Sequence, residues 1–177
     1  MTNNYIERSG FIPTESIRWD SSWPGLEEAA DRHALFSYLE DRFGIPGTLF
    51  DEYLLFKNKK SWWLLRQSPF VVPASQFKIS MAGLRAFQKI NRFVKPTTRM
   101  IQIFGHHATR ATLDLNKSEF EGLETREPFQ VGFEIENGYV IISYEGHPLG
   151  LGLFINGLVH PQIPRKELRF LNSQNLQ

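Results

Sequence analysis

The feature that most narrows the fold of this chain is a series of short, turn-bounded runs in its last third. Residues 130–135, 139–144 and 149–155 have the composition of β-strands. Asn137-Gly138 and Glu145-Gly146 stand between them. Asn-Gly and Xaa-Gly pairs supply the positive-φ positions of tight hairpin turns, and runs this short are better strands than helices. Strands returning every ten or so residues predict a small barrel or sandwich. Residues 108–115, which alternate Thr109, Arg110, Thr112 and Asp114 with small or aliphatic residues, add a further strand, whereas 117–128 reads as an acidic loop or short helix.

The opening of the chain has a different pattern. Between residues 26 and 43, Leu26, Ala29, Phe36, Leu39 and Phe43 recur at helical offsets, with Glu27, Glu28, Asp31, Glu40 and Asp41 elsewhere on the wheel, so an amphipathic helix is expected. Pro24 suits its first turn and Gly44-Ile45-Pro46-Gly47 its stop. Residues 52–56 and 61–66 then form two strands joined by the polar tip Lys57-Asn58-Lys59-Lys60. In the second strand Trp62 and Trp63 point to opposite faces, so that one faces the core and the other is either core as well or a platform or interface residue. Residues 77–79 read as extended, 81–87 as one or two turns of helix, and 91–95 as a short strand ended by Pro96. The change of pattern near Lys95 places a boundary there, giving an α+β chain with a small α/β domain at 1–94 and a β-rich domain at 95–177.

Charge is segmented along the chain. The first 56 residues carry ten acids and four bases, net −6. Residues 57–113 carry eleven bases and no Asp or Glu. Residues 114–177 return to net −4. A long acid-free segment cannot neutralise its own cations and favours phosphate-bearing partners unless it folds against the acidic ends. There is no cysteine, which excludes disulfides, thiolate metal sites and cysteine nucleophiles. Adjacent histidines on an extended segment point apart, so His106-His107 is a poor metal pair. His33, His147 and His160 read as structural. No nucleophile-elbow pattern occurs. The longest apolar runs fall far short of a membrane span, and the first ten residues lack a secretory signal, so a cytoplasmic protein is expected.

Two resemblances sharpen this reading. The stretch from Gly138 through Tyr-Val-Ile-Ile-Ser-Tyr-Glu-Gly-His-Pro-Leu-Gly-Leu-Gly-Leu-Phe-Ile-Asn-Gly-Leu-Val, followed by Ile163-Pro-Arg-Lys-Glu-Leu-Arg169, resembles the C-terminal PUA-like RNA-binding region of Nop/Sun-type RNA cytosine-C5 methyltransferases. Gly146, Gly150 and Gly152 would there allow tight turns and close strand crossing. Residues 77–87, Asn91-Arg-Phe-Val-Lys-Pro96 and Ile103-Phe-Gly-His-His-Ala-Thr-Arg110 are similar in order and spacing to the Nip-seven family of ribosome-biogenesis factors, which place a small α/β domain before a PUA domain. This second resemblance covers residues 26–171.

The resemblances imply a PUA-like β-barrel domain and a stand-alone RNA-binding protein in rRNA or tRNA maturation, beside a catalytic protein or ribosomal particle. They imply Lys89, Arg92, Lys95, Arg99 and Arg110 along one edge where the domains meet, Arg165, Lys166 and Arg169 on the far side, and His106 as a further RNA contact. The methyltransferase relatives use a cysteine and a glycine-rich cofactor loop. This chain has neither, and Gly150-Leu-Gly152 lies between strands, so neither catalysis nor S-adenosylmethionine or any other cofactor is expected. The alternative is a protein-interaction adaptor docking through the acidic N-terminal helix and the Trp62-Trp63 strand.

Overall fold

The computed structural model describes residues 17–132 and 135–168. These residues form two five-stranded sheets and several helices, an α+β architecture. Two units part between Lys95 and Pro96. The first holds the described residues up to Ala34 together with Thr48–Lys95, and the second holds Leu35–Gly47 and the described residues from Pro96 on.

In the first unit, β1 (Gly25–Leu26), β2 (Tyr53–Asn58), β3 (Ser61–Arg66), β4 (Leu84–Ile90) and β5 (Phe93–Pro96) lie in sequence order across one sheet. The β2–β3 hairpin closes on the two-residue turn Lys59-Lys60, since Asn58 pairs with Ser61. Leu26, expected on the helix, instead pairs with Phe56 in β1, and helix α1 begins at Ala29 and runs to Phe43. The helix expected over 81–87 is a strand. Leu84, Arg85 and Phe87 pair antiparallel with Leu64, Trp63 and Trp62, and a ladder to an existing strand outweighs the modest helix propensity of Leu-Arg-Ala-Phe.

Trp62 is buried, with 6% of its surface exposed, and its indole N–H is bonded to the Glu27 carboxylate. Trp63 is half-buried and packs, with Trp19 and Trp23, against Ile17, Leu54, Phe56 and Val71. Both tryptophans are therefore taken up by the unit's own packing, and Trp62 is unavailable to a docking partner. His33, expected to be structural, is exposed on α1.

In the second unit the sheet order is β6 (Thr112–Leu115), β8 (Gly138–Tyr144), β9 (His147–Ile155), β10 (Leu158–Pro161) and β7 (Phe129–Gln130). The β6–β8 pair is parallel and the other pairs are antiparallel. The sheet curls as a half-barrel, helped by a register shift between Ile142 and Ser143, because a bulge adds local twist. At Gly152 a Cβ would lie 2.6 Å from Val159 and 3.0 Å from Ile142, so neighbouring strands close over a position that only glycine fills. Glu145-Gly146 forms the β8–β9 turn with φ of 51° and 74°. The core gathers Leu113, Leu115, Phe120, Leu123, Val140, Ile142, Phe154, Val159 and Ile163.

Two elements here were not anticipated: β10, and helix α3 (Thr98–Phe104), which follows the short α2 (Val71–Ala74) in chain order. Conversely, the strand expected over 130–135 is confined to Phe129–Gln130, with 133–134 outside the described residues. Residues 117–128 are largely helical, with α4 (Lys117–Gly122) started by an Asn116–Glu119 capping box and continued by a 3-10 turn.

The later half of α1 belongs to the second unit, where Leu35, Phe36, Leu39 and Phe43 are buried. Arg42 ties it to the sheet, its guanidinium donating to the carbonyls of Tyr139 at 2.7 Å and Glu136 at 2.9 Å. One turn earlier, the Tyr38 ring meets Phe43 edge-on at 6.0 Å. Burial pushes the Tyr38 hydroxyl up to about 12, against the opposing pull of Arg42. A group that holds its proton more tightly when folded stabilises fully below its unfolded value near 10 and loses that contribution as pH rises toward about 12. Alkaline unfolding followed by circular dichroism is expected to show stability falling across that window. Tyr38→Phe, which keeps the ring, should flatten the fall.

Among the described residues no helix is long and apolar enough to cross a membrane.

Candidate nucleic-acid interface

Of the nine residues expected at an RNA face, eight are among the described residues, three in the first unit and five in the second. In the first unit, Lys89, Arg92 and Lys95 lie on the β4–β5 hairpin. Lys89 and Arg92 are exposed near its turn and Lys95 is half-buried farther along β5. The turn is Asn91-Arg92, with Asn91 in the left-handed region at φ 55°, a conformation that Asn tolerates better than most residues. The Arg92 guanidinium sits 5.0 Å from the centroid of the Phe93 ring.

In the second unit the expected residues separate into two places. Arg99 projects from the first turn of α3, donating to Gln102 at 2.9 Å and lying 3.8 Å from the Glu167 carboxylate. Glu167 stands in the helical residues 165–168 beside Arg165 and Lys166, both exposed. Arg99, Arg165 and Lys166 are thus brought together, with Arg99 partly neutralised. Arg169 lies outside the described residues.

His106 and Arg110 lie past the other end of α3. Residues Gly105–His107 form a 3-10 turn rather than an extended segment, so the His106 and His107 rings do not point apart but lie 3.9 Å between centroids. Among the described residues no third ligating group joins them. Arg110 is exposed, yet its guanidinium donates to the Glu40 carbonyl at 2.6 Å. The backbone N–H groups of Thr109 and Arg110 both donate to the Phe43 carbonyl, at 2.9 and 3.0 Å.

Arg110 therefore caps the C-terminal end of α1, where orphan carbonyls and the negative pole of the helix favour a cation. Arg110→Ala is expected to cost about 1 kcal/mol in denaturant unfolding, the usual net worth of one exposed charge-assisted hydrogen bond. Arg110→Lys should restore part of it.

Two lysines of the same acid-free segment, Lys59 and Lys60, are legible in the sequence only as a hairpin tip. They are exposed, and Lys60 is joined to the β4 strand by a bond from the Lys89 backbone N–H to its carbonyl at 2.7 Å. Two runs of cations separated by about thirty residues thereby meet at one end of one sheet. The antiparallel order of β2 to β5 would have indicated this had β4 been recognised as a strand.

No protein-family model matches this chain. Among curated proteins it is 23% identical over 144 residues to the ribosomal RNA small subunit methyltransferase F of Psychromonas ingrahamii. The match covers 77% of this chain and 28% of that protein, so the chain spans about a quarter of the length of the relative it matches. This is a distant and partial likeness to a protein named for methylation of ribosomal RNA.

Proposed function

We propose that this chain is an RNA-binding protein that works in rRNA or tRNA maturation or ribosome biogenesis beside a catalytic protein, and has no active site of its own. The observation that carries the ligand class is the likeness to a ribosomal RNA methyltransferase along most of the chain. The acid-free segment with its eleven bases supports the same ligand, because cations without nearby acids neutralise phosphates.

The PUA-like reading of residues 95–177 draws support from the curled five-stranded sheet and the crowded Gly152. The Nip-seven-like layout, with an α/β domain at 1–94 ahead of it, draws support from the small first sheet. In this reading Lys89, Arg92, Lys95, His106, Arg165, Lys166 and Arg169 contact RNA. Arg99 and Arg110 contribute charge while also serving Glu167 and the end of α1. The chain has no cysteine to attack a cytosine ring and no glycine-rich loop opening a helix after a strand, which favours a binding role over methyl transfer.

Ultraviolet crosslinking in cells followed by sequencing of the attached RNA tests this directly. Enrichment of ribosomal or transfer RNA is expected. Recovery of no RNA above an uncrosslinked control would contradict the reading.

A further inference from the structure

Resting on the RNA-binding reading, we propose that one end of the first sheet, where the turns Lys59-Lys60 and Asn91-Arg92 lie side by side, is a site for an unpaired RNA strand. Its phosphates would meet Lys59, Lys60, Lys89 and Arg92, and one of its bases would stack on Phe93.

The placement follows from register. Ser61 of β3 pairs with Gln88 of β4, and the bond from Lys89 N–H to the Lys60 carbonyl carries the ladder one step beyond it. The two hairpin tips are therefore fixed as neighbours in one sheet, not as independent loops. Adjacent strands are spaced by about 4.8 Å, so the tips lie about 10 Å apart.

Charge is unbalanced at these tips. Lys57, just before the first turn, is neutralised by Glu27 at 3.2 Å and Asp31 at 3.6 Å. Glu27 also holds the Trp62 indole, so these two acids are committed to the hairpin stem. Lys59, Lys60, Lys89 and Arg92 are exposed and have no carboxylate within ion-pair distance among the described residues.

Two further observations point to a ligand. Phe93 leaves 59% of its surface exposed and Ile90 37%, on either side of the Asn91-Arg92 turn. Single exposed apolar residues are ordinary. An aromatic ring among cations that lack carboxylate partners is the arrangement that binds single strands, and with Arg92 lying over one face of Phe93 the other face would take a base while the cations take the backbone. In addition, Lys59 holds a left-handed backbone with φ 53°, a position where glycine is favoured. The chain places a charge there instead.

The test measures fluorescence anisotropy of a short oligouridylate and of an RNA duplex of the same length against the whole chain. The variants are Phe93→Leu, and Lys59→Gly combined with Lys60→Ala. The Gly suits the left-handed backbone, and the Ala leaves the Lys60 carbonyl in place. Phe93→Leu is expected to weaken oligouridylate binding roughly 5- to 100-fold, the effect of losing one stacked base, and to leave duplex binding unchanged. The lysine pair should lower the oligouridylate salt slope by about 1.4, or ~0.7 for each phosphate no longer neutralised.

If the wild-type chain binds RNA but neither variant changes oligouridylate binding, the site is refuted and the RNA-binding reading stands. If the wild type binds neither RNA, both fall together. Should Phe93→Leu fail to fold by circular dichroism, the lysine pair decides the question alone.

Discussion

Replacing Gly83 with alanine is expected to unfold the first unit. Gly83 lies in the left-handed region at φ 75°, and a Cβ there would sit 2.0 Å from the carbonyl oxygen and 2.8 Å from the carbonyl carbon of Leu64. The obstacle is the backbone of β3, so no side-chain rotation relieves it. Either the chain ahead of β4 moves away or the β3–β4 ladder breaks. Left-handed strain on alanine costs about 1 kcal/mol, and the clash adds the loss of pairing in a buried strand, for a total of at least ~3 kcal/mol. Because Phe87 and Ala86 of β4 are fully buried, losing that strand removes part of the unit's core. Native-state hydrogen exchange of Gly83→Ala should show protection lost across β3 and β4, with β8 and β9 keeping theirs.

The second large effect is on binding. Neutralising Lys89 and Arg92 in the first unit together with Arg165 and Lys166 in the second is expected to reduce affinity for a ribosomal RNA fragment by about two orders of magnitude. The salt slope should fall by about 3, since each phosphate left without its cation removes ~0.7 to ~0.9. These four are chosen because all are exposed and none forms an ion pair among the described residues. Arg99 and Arg110 are left in place, as removing them would disturb the Glu167 pair and the α1 cap. Thermal unfolding of the fourfold variant should match the wild type, and a loss of affinity without a loss of fold is the informative result.

The features legible in the sequence were those set by local chemistry. Glu145-Gly146 specified the β8–β9 turn, the Lys-rich tip specified the β2–β3 turn, and Gly44 ended α1 with φ 67°. β10 could have been read by the same rule, because Asn156-Gly157, with φ of 50° and 89°, is an equally plain turn signal. α3 also had a local signal: Thr97 follows Pro96 and its hydroxyl accepts from the Met100 N–H at 3.2 Å, an N-cap ahead of an apolar Met100, Ile101 and Phe104. Only seven residues long, α3 gives too little periodicity to stand out.

What was not legible depended on partners far away in the chain. Residues 81–87 have nothing local that rejects a helix, and β4 is imposed by β3. Arg110 looked like a free cation because its acceptor, the Glu40 carbonyl, lies 70 positions earlier. Trp62 and Trp63 alternated as expected, yet neither is left exposed, because Glu27 holds the Trp62 indole and Trp63 packs beside Trp19 and Trp23, none of these three being in the hairpin. In the same way, the meeting of Lys60 with Lys89 follows from a strand order that no short window contains.

The most direct test of the central claim is the affinity of the whole chain for a structured ribosomal RNA fragment, measured by gel shift as salt is raised. If the cations neutralise phosphates, binding at about 50 mM salt should weaken by about a hundredfold or more by about 200 mM, along a straight line in log affinity against log salt. Absence of a shifted complex at the lowest salt, or an affinity indifferent to salt, would contradict the account.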